Sequence, residues 1–338
     1  RDTDRSRGLG DVYKRQCTLR AKSIDFRFVQ DTVEVLGLEG QAYPGYTLRM
    51  FSDSAARVLK EFVFTRPVTL SGGGMFPMGD DMKLMKGRIR FDASAGRVRY
   101  PLLGTTLDLG RTKGEVLISP QWVVVDKMMG TIWDGTFTGR ILAQIDDGDA
   151  LNGSFVLQDM NLTSIGKSYD KKMEKATVHG AIEFSSKGGN MNSIQAKGEA
   201  ALVHGDLVEI PLFGFLGEAL SNYIPGLGHL INYKISRADC DFSIEKGYVR
   251  TSNFAAQGSN MSLEGGGWIR LSDLQVNSDF KLGLRGLPGF ITSPVFLLAG
   301  GLFQVRGTGP LSNVSWNFAP FSGGKAPVPP AAAPARKR

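Results

Sequence analysis

The chain has 338 residues, 42% hydrophobic and 22% charged, with 43 glycines and 15 prolines. The apolar share supports a sizeable core and excludes wholesale disorder, while glycine without a triplet period excludes a collagen-like rod. The net charge of +7 sits in the ends: residues 1–20 hold six basic and three acidic side chains, 325–338 hold four basic and none acidic, and 30 of each sign remain between. A nucleic-acid binder gathers its charge on a phosphate-facing surface, so no nucleic-acid partner is expected.

Residues 1–16 (RDTDRSRGLGDVYKRQ) are polar throughout and resemble translated adapter sequence. They are expected to lie outside the fold, with the natural N-terminal part missing. Cys17 and Cys240 stand in unrelated surroundings, and nothing pairs them or makes a metal site of them. Residues 52–60 offer a cap and good helix formers. The run Ser71-Gly72-Gly73-Gly74 lacks a dinucleotide-binding frame and reads as a loop.

From there period-two alternation dominates, the mark of strands with one buried face. Arg88-Ile89-Arg90-Phe91 is expected to pair with Arg97-Val98-Arg99-Tyr100 across the turn Ala93-Ser94-Ala95-Gly96. Further strands are read over 114–118, 122–126, 136–145, 153–157, 181–184, 242–244, 248–251, 268–271, 279–285 and 313–318. Glycine, about 13% of the chain against roughly 7% on average, is attributed to the turns between them. A short polar helix is expected over 164–175, and an apolar helical stretch over 213–231, broken at Pro225-Gly226. The segments 212–231 and 287–303 read as helices or loops covering a sheet edge, or else as amphipathic elements that cap a groove end or touch a membrane surface. No apolar run reaches the roughly 18 residues a membrane-spanning helix needs. The Pro/Ala-rich basic stretch 321–338 reads as a disordered tail.

No catalytic constellation emerges, so the chain is not expected to be an enzyme. Gly166-Lys167-Ser168 lacks the leading glycine of a phosphate loop, since position 161 is Asn. His179, His204 and His229 lie in different contexts, and Asp146-Asp147-Gly148-Asp149 lacks the calcium-loop spacing. Neither a cofactor nor a metal is expected.

The strand–turn–strand unit recurs at 87–100, 198–208 and 240–250, suggesting a sheet extended by repetition. In order, the chain presents Gly198-Glu199-Ala200-Ala201-Leu202-Val203-His204-Gly205-Asp206-Leu207, then Ile210-Pro211-Leu212-Phe213 before an apolar stretch. Next come Ala238-Asp239-Cys240-Asp241-Phe242-Ser243-Ile244-Glu245-Lys246-Gly247-Tyr248-Val249 and Leu263-Glu264-Gly265-Gly266-Gly267-Trp268-Ile269. Last is Phe303-Gln304-Val305-Arg306-Gly307-Thr308-Gly309-Pro310-Leu311-Ser312-Asn313-Val314. This series resembles the AsmA-like C-terminal region of bacterial envelope proteins of AsmA, TamB and YhdP type, although Gly309-Pro310 moves the family's closing proline forward.

The resemblance implies a mainly β protein whose long twisted sheet of short strands curls into an open groove, with a few short helices at its edges or ends. It implies residence in the periplasm, tethered to the inner membrane by the missing N-terminal part, and a role in outer-membrane lipid homeostasis. Phospholipid acyl chains are then the expected ligand, bound or conducted along a hydrophobic β-groove, and each CH₂ moved from water onto such a face gains about 0.8 kcal/mol. The expected division is 17–197 as a β-rich groove segment and 198–320 as the AsmA-like region. Candidate lining residues are Ile89, Phe91, Val98, Tyr100, Phe155, Leu157, Phe242, Ile244, Phe280, Leu282, Leu284, Val314, Trp316 and Phe318. The alternative expectation is an envelope scaffold or assembly protein that binds partner proteins through its sheet.

Overall fold

The computed structural model describes residues 18–44, 62–78, 85–102, 105–144, 150–169, 175–187, 193–203, 235–259, 261–284, 302–311 and 314–320. The leader, the tail, and the helices or coverings expected over 52–60, 212–231 and 287–303 lie outside these, except for residues 302–303. The fold is mainly β and antiparallel. It divides into two compact units, Arg1–Phe155 and Val156–Arg338. The division falls inside one strand, whereas the boundary expected at 197/198 lies within another.

The first unit contains β1 (Thr18–Arg20), β2 (Ser23–Arg27), β3 (Thr32–Ala42), β4 (Val63–Phe64), β5 (Val68–Pro77), β6 (Lys86–Asp92), β7 (Arg97–Leu102), β8 (Thr105–Ile118), β9 (Trp122–Ile132), β10 (Gly135–Gln144) and the start of β11 (Leu151–Asn161). The path is a meander, because several of these strands are halves of longer ones. β1 and β2 both pair with β3, Leu19 opposite Gly40 and Ile24 opposite Val35. β5 pairs with β3 and β6, while β4 pairs with β7. β6 and β7 both pair with β8, which pairs in turn with β9, and β9 with β10.

The expected hairpin of 88–91 with 97–100 is therefore corrected: the two segments follow one another along β8, with Asp92 opposite Lys113 and Arg97 opposite Gly110. Local hydrogen bonds explain the difference. The Ser94 amide donates to Asp92 Oδ1 at 2.8 Å, the Gly96 amide to the Ala93 carbonyl at 3.0 Å, and the Ala93 amide reaches across to the Thr112 carbonyl at 2.7 Å. Four residues, 93–96, thus loop out opposite only Arg111 and Thr112. The chain resumes its direction instead of reversing, as at an enlarged bulge.

The second unit takes the rest of β11, then α1 (Leu162–Ser168), β12 (Thr177–Ser186), β13 (Gln195–Val203), β14 (Ile235–Glu245), β15 (Tyr248–Gly258), β16 (Met261–Arg270), β17 (Gln275–Leu284), β18 (Leu302–Pro310) and β19 (Ser315–Pro320). From β12 to β19 each strand pairs antiparallel with the next. The helix expected over 164–175 is this shorter α1, capped by Asn161, whose side chain accepts from the Thr163 amide. Tight reversals use left-handed residue pairs, Trp133-Asp134 (φ 48° and 61°) and Lys246-Gly247 (52° and 77°), which match the right-handed twist of the flanking strands. Among the described residues β1 and β2 pair with β3 alone, and β19 with β18 alone, so the 19-stranded sheet does not close on itself.

Candidate functional site

Directly opposed residues of an antiparallel pair share a face, and alternate residues along a strand lie on the same side. In the first unit these rules gather one apolar face. It runs from Ile24 and Phe26 on β2, through Val33 and Val35 on β3 and Leu70 and Phe76 on β5, to Ile89 and Phe91 on β6 and Val116 and Ile118 on β8. Two buried clusters form on it, one around Val68, Leu70, Ala93 and Val98, the other around Val35, Phe76, Met85 and Ile118, and Ile89 packs against both. Toward the edge the face opens: Ile24 and Phe26 are each 55% exposed.

The second unit has a corresponding face. Across β12, β13 and β14 it carries Ile182, Phe184, Leu202, Phe242 and Ile244, all half-buried. From β16 to β18 it is sealed: Leu263, Leu282 and Val305 have no exposure at all, and Phe280 is buried beside them.

The expected lining residues therefore fall into two groups. Ile89, Phe91, Tyr100, Phe242 and Ile244 are half-buried on the apolar faces, and Phe155 is half-buried against Phe137, ring centroids 6.4 Å apart. Leu157, also half-buried, approaches Gly180 in the second unit. Val98, Phe280, Leu282, Val314 and Trp316 are buried core residues. Leu284 and Phe318 have backbone positions opposite Met261 and Val305, but their side chains are outside the described set. The outer part of the face, Leu19, Ile24, Phe26 and Val33, was missed in the sequence. The alternation Ile24-Asp25-Phe26-Arg27 was the available signal.

The other face of the first unit is charged. Glu115 is 6% exposed there, with Arg88 Nε and Arg90 Nε each 3.5 Å from Oε1 and Lys127 Nζ 3.7 Å from Oε2. Arg97 Nη1 meets Asp108 Oδ2 at 2.8 Å, and Arg140 approaches Asp126 at 3.7 Å. Two broad depressions, of about 460 and 330 Å³, lie at this charged surface. Thr18, Arg20, Glu39 and Gln41 line the first, and Arg90, Lys113, Glu115 and Lys127 the second.

The titratable groups play structural parts. The Ser94 hydroxyl and then its amide hold the Asp92 carboxyl below its ordinary pKa, fixing the looped segment 93–96. Burial, followed by the charges of Asp241 and Asp239, pushes the Cys240 thiol up. His179 Nδ1 accepts the Asp159 amide at 3.3 Å, and Gly166-Lys167-Ser168 forms the end of α1. Among the described residues no group of three or more His, Cys, Asp or Glu could hold a metal ion, and no helix is long and apolar enough to cross a membrane.

No protein-family model matches the chain, and neither a curated protein nor a solved structure matches it.

Proposed function

We propose that this protein binds the acyl chains of phospholipid on the apolar faces of its two units, as an AsmA-like periplasmic envelope protein would. The observation that carries the reading is the graded face of the first unit. It is packed at Val68 and Leu70 and half-buried at Ile89 and Phe91, yet more than half exposed at Ile24 and Phe26. Contiguous apolar surface left in water marks a site of contact with apolar matter. An acyl chain lying along Ile24, Phe26 and Val33 would remove that surface from water, at about 25 cal/mol per Å², while its headgroup stayed solvated. Such holding needs no nucleophile and no metal.

The sealed stretch from β16 to β18 confines the reading to the first unit and to the β12–β14 part of the second. The test is purification without detergent, followed by organic extraction and mass spectrometry of the extract. Phospholipid is expected in near-stoichiometric amount and should fall severalfold in Ile24→Glu/Phe26→Glu, which alters exposed side chains only. A lipid-free protein that also fails to take up phospholipid from vesicles overturns the proposal.

The scaffold reading draws on a different observation, the outer edge of β2, which pairs with no strand among the described residues. A strand edge with free backbone groups can accept a further strand.

A further inference from the structure

The edge strand β2 carries a self-complementary pattern. Its sequence is Ser23-Ile24-Asp25-Phe26-Arg27, followed by Phe28 and Val29 in the turn to β3. Exposure along it is high: 55% at Ile24 and Phe26, 79% at Phe28 and 102% at Val29. The rings of Phe26 and Phe28 stack with centroids 6.2 Å apart.

The backbone fixes which groups face outward. The Lys22 amide donates to the Leu36 carbonyl on β3 at 2.9 Å. Leu36 lies directly opposite Ser23, so its carbonyl turned toward β2 marks Ser23 and Leu36 as a hydrogen-bonded pair. Direction alternates along a strand, so Ser23, Asp25 and Arg27 point their backbone groups at β3, and those of Ile24 and Phe26 point away. A second antiparallel strand must therefore set its own outward residues opposite Ile24 and Phe26, as a register centred on Phe26 does.

Charge selects the occupant and the register. Within one copy Asp25 lies directly opposite Glu34, a like-charged pair, and Arg27 serves both, reaching Asp25 at 3.7 Å and also pairing with Glu34. Like charges in direct opposition destabilise a sheet. Pairing β2 with a second β2 about Phe26 sets Asp25 of each copy opposite Arg27 of the other, supplying Asp25 with a cation on its open side. On the apolar face the same register sets Phe26 against Phe26 and Ile24 against Phe28. The neighbouring register, centred on Asp25, would oppose the two carboxylates and is disfavoured.

We propose that two copies of this chain associate edge to edge through β2, antiparallel and centred on Phe26, so that the apolar faces of both first units lie on one side of a joined sheet. Each copy offers a single short strand, so the contact belongs to the small, dissociable class and the dimer should come apart on dilution.

The experiment uses the full chain with Cys17→Ser and Cys240→Ser, and needs no lipid, so it stands apart from the test of ligand binding. At a hydrogen-bonded antiparallel pair the Cα atoms are about 5.5 Å apart, within disulfide range. Phe26→Cys is therefore expected to form a disulfide-linked dimer on mild oxidation, and Asp25→Cys, which meets Arg27, is not. Sedimentation should show Asp25→Arg weakening self-association by about tenfold or more, with Asp25→Arg/Arg27→Asp recovering most of the loss. A chain that stays monomeric at all concentrations overturns the proposal, as does equal cross-linking at positions 25 and 26, or an Asp25→Arg variant that dimerises unchanged.

Discussion

Phe91 on β6 stands directly opposite Gly114 on β8, and its ring fills the space a side chain there would need: a Cβ on Gly114 would sit 2.9 Å from Phe91 Cε1 and Cζ. The same relation joins Phe137 to Gly130, Phe242 to Gly198 and Trp316 to Gly307, each pair directly opposed across two strands. Glycine weakens a strand by its entropy and its missing side chain, and a ring laid over it from the partner strand restores the lost packing.

This arrangement makes Gly114→Val destabilising. The new side chain must displace the Phe91 ring, and overpacking of this kind costs about 1–3 kcal/mol. Gly114→Ala combined with Phe91→Leu should cost less than the sum of the two single changes, since the residues are in contact. Urea unfolding followed by tryptophan fluorescence measures both, and strict additivity would contradict the relation.

Core and open face should respond differently to the same chemistry. Leu282 has no exposure, so Leu282→Ala is expected to cost about 2–5 kcal/mol. Phe26 is 55% exposed, and Phe26→Ala should change stability by about 0.5 kcal/mol or less. Denaturation midpoints of the two variants, taken without lipid, would expose an error in either placement.

Glu115 gathers three cations that are themselves largely solvated. Glu115→Ala removes the buried member and leaves Arg88, Arg90 and Lys127 facing one another, so a loss of about 1–3 kcal/mol is expected. Arg88→Ala breaks one exposed pairing and should cost less than about 1 kcal/mol. Thermal unfolding of the two variants, at low and high salt, tests the asymmetry.

Asp92 has a carboxyl held below its ordinary pKa by the Ser94 hydroxyl and amide. A folded value below the unfolded one means that its stabilising contribution is present above the unfolded carboxylate pKa and is lost as pH falls through the folded value. NMR titration of the Asp92 carboxyl should therefore show a depressed midpoint that moves back up in Ser94→Ala. An unchanged midpoint in that variant would remove Ser94 as the cause.

Cys240 lies on the apolar face opposite Ala200, its thiol pushed up chiefly by burial. In Cys17→Ser protein, maleimide labelling should be slow at neutral pH and accelerate as the pH rises past the ordinary thiol range, because the thiolate is the reactive form. Under the lipid proposal, phospholipid vesicles should slow the labelling further.

Alternation of apolar and polar residues determined the class of fold by itself. Arg88-Ile89-Arg90-Phe91 or Asp279-Phe280-Lys281-Leu282 can satisfy a two-residue period only as strands with one buried face. Their shared face was legible for the same reason. Tertiary structure decided what a one-dimensional pattern does not encode. Whether residues 93–96 reverse the chain or return it to its path rests on an amide of Ala93 reaching Thr112 on another strand. Whether an alternating apolar residue is ligand surface or core rests on what covers it, which leaves Leu282 sealed and Phe26 open although both alternate in the same way. Glycine was read as the residue of turns, yet Gly114 and Gly198 lie within strands, under rings donated by residues distant in the chain. Period and composition are local properties, whereas coverage and opposition arise only between strands.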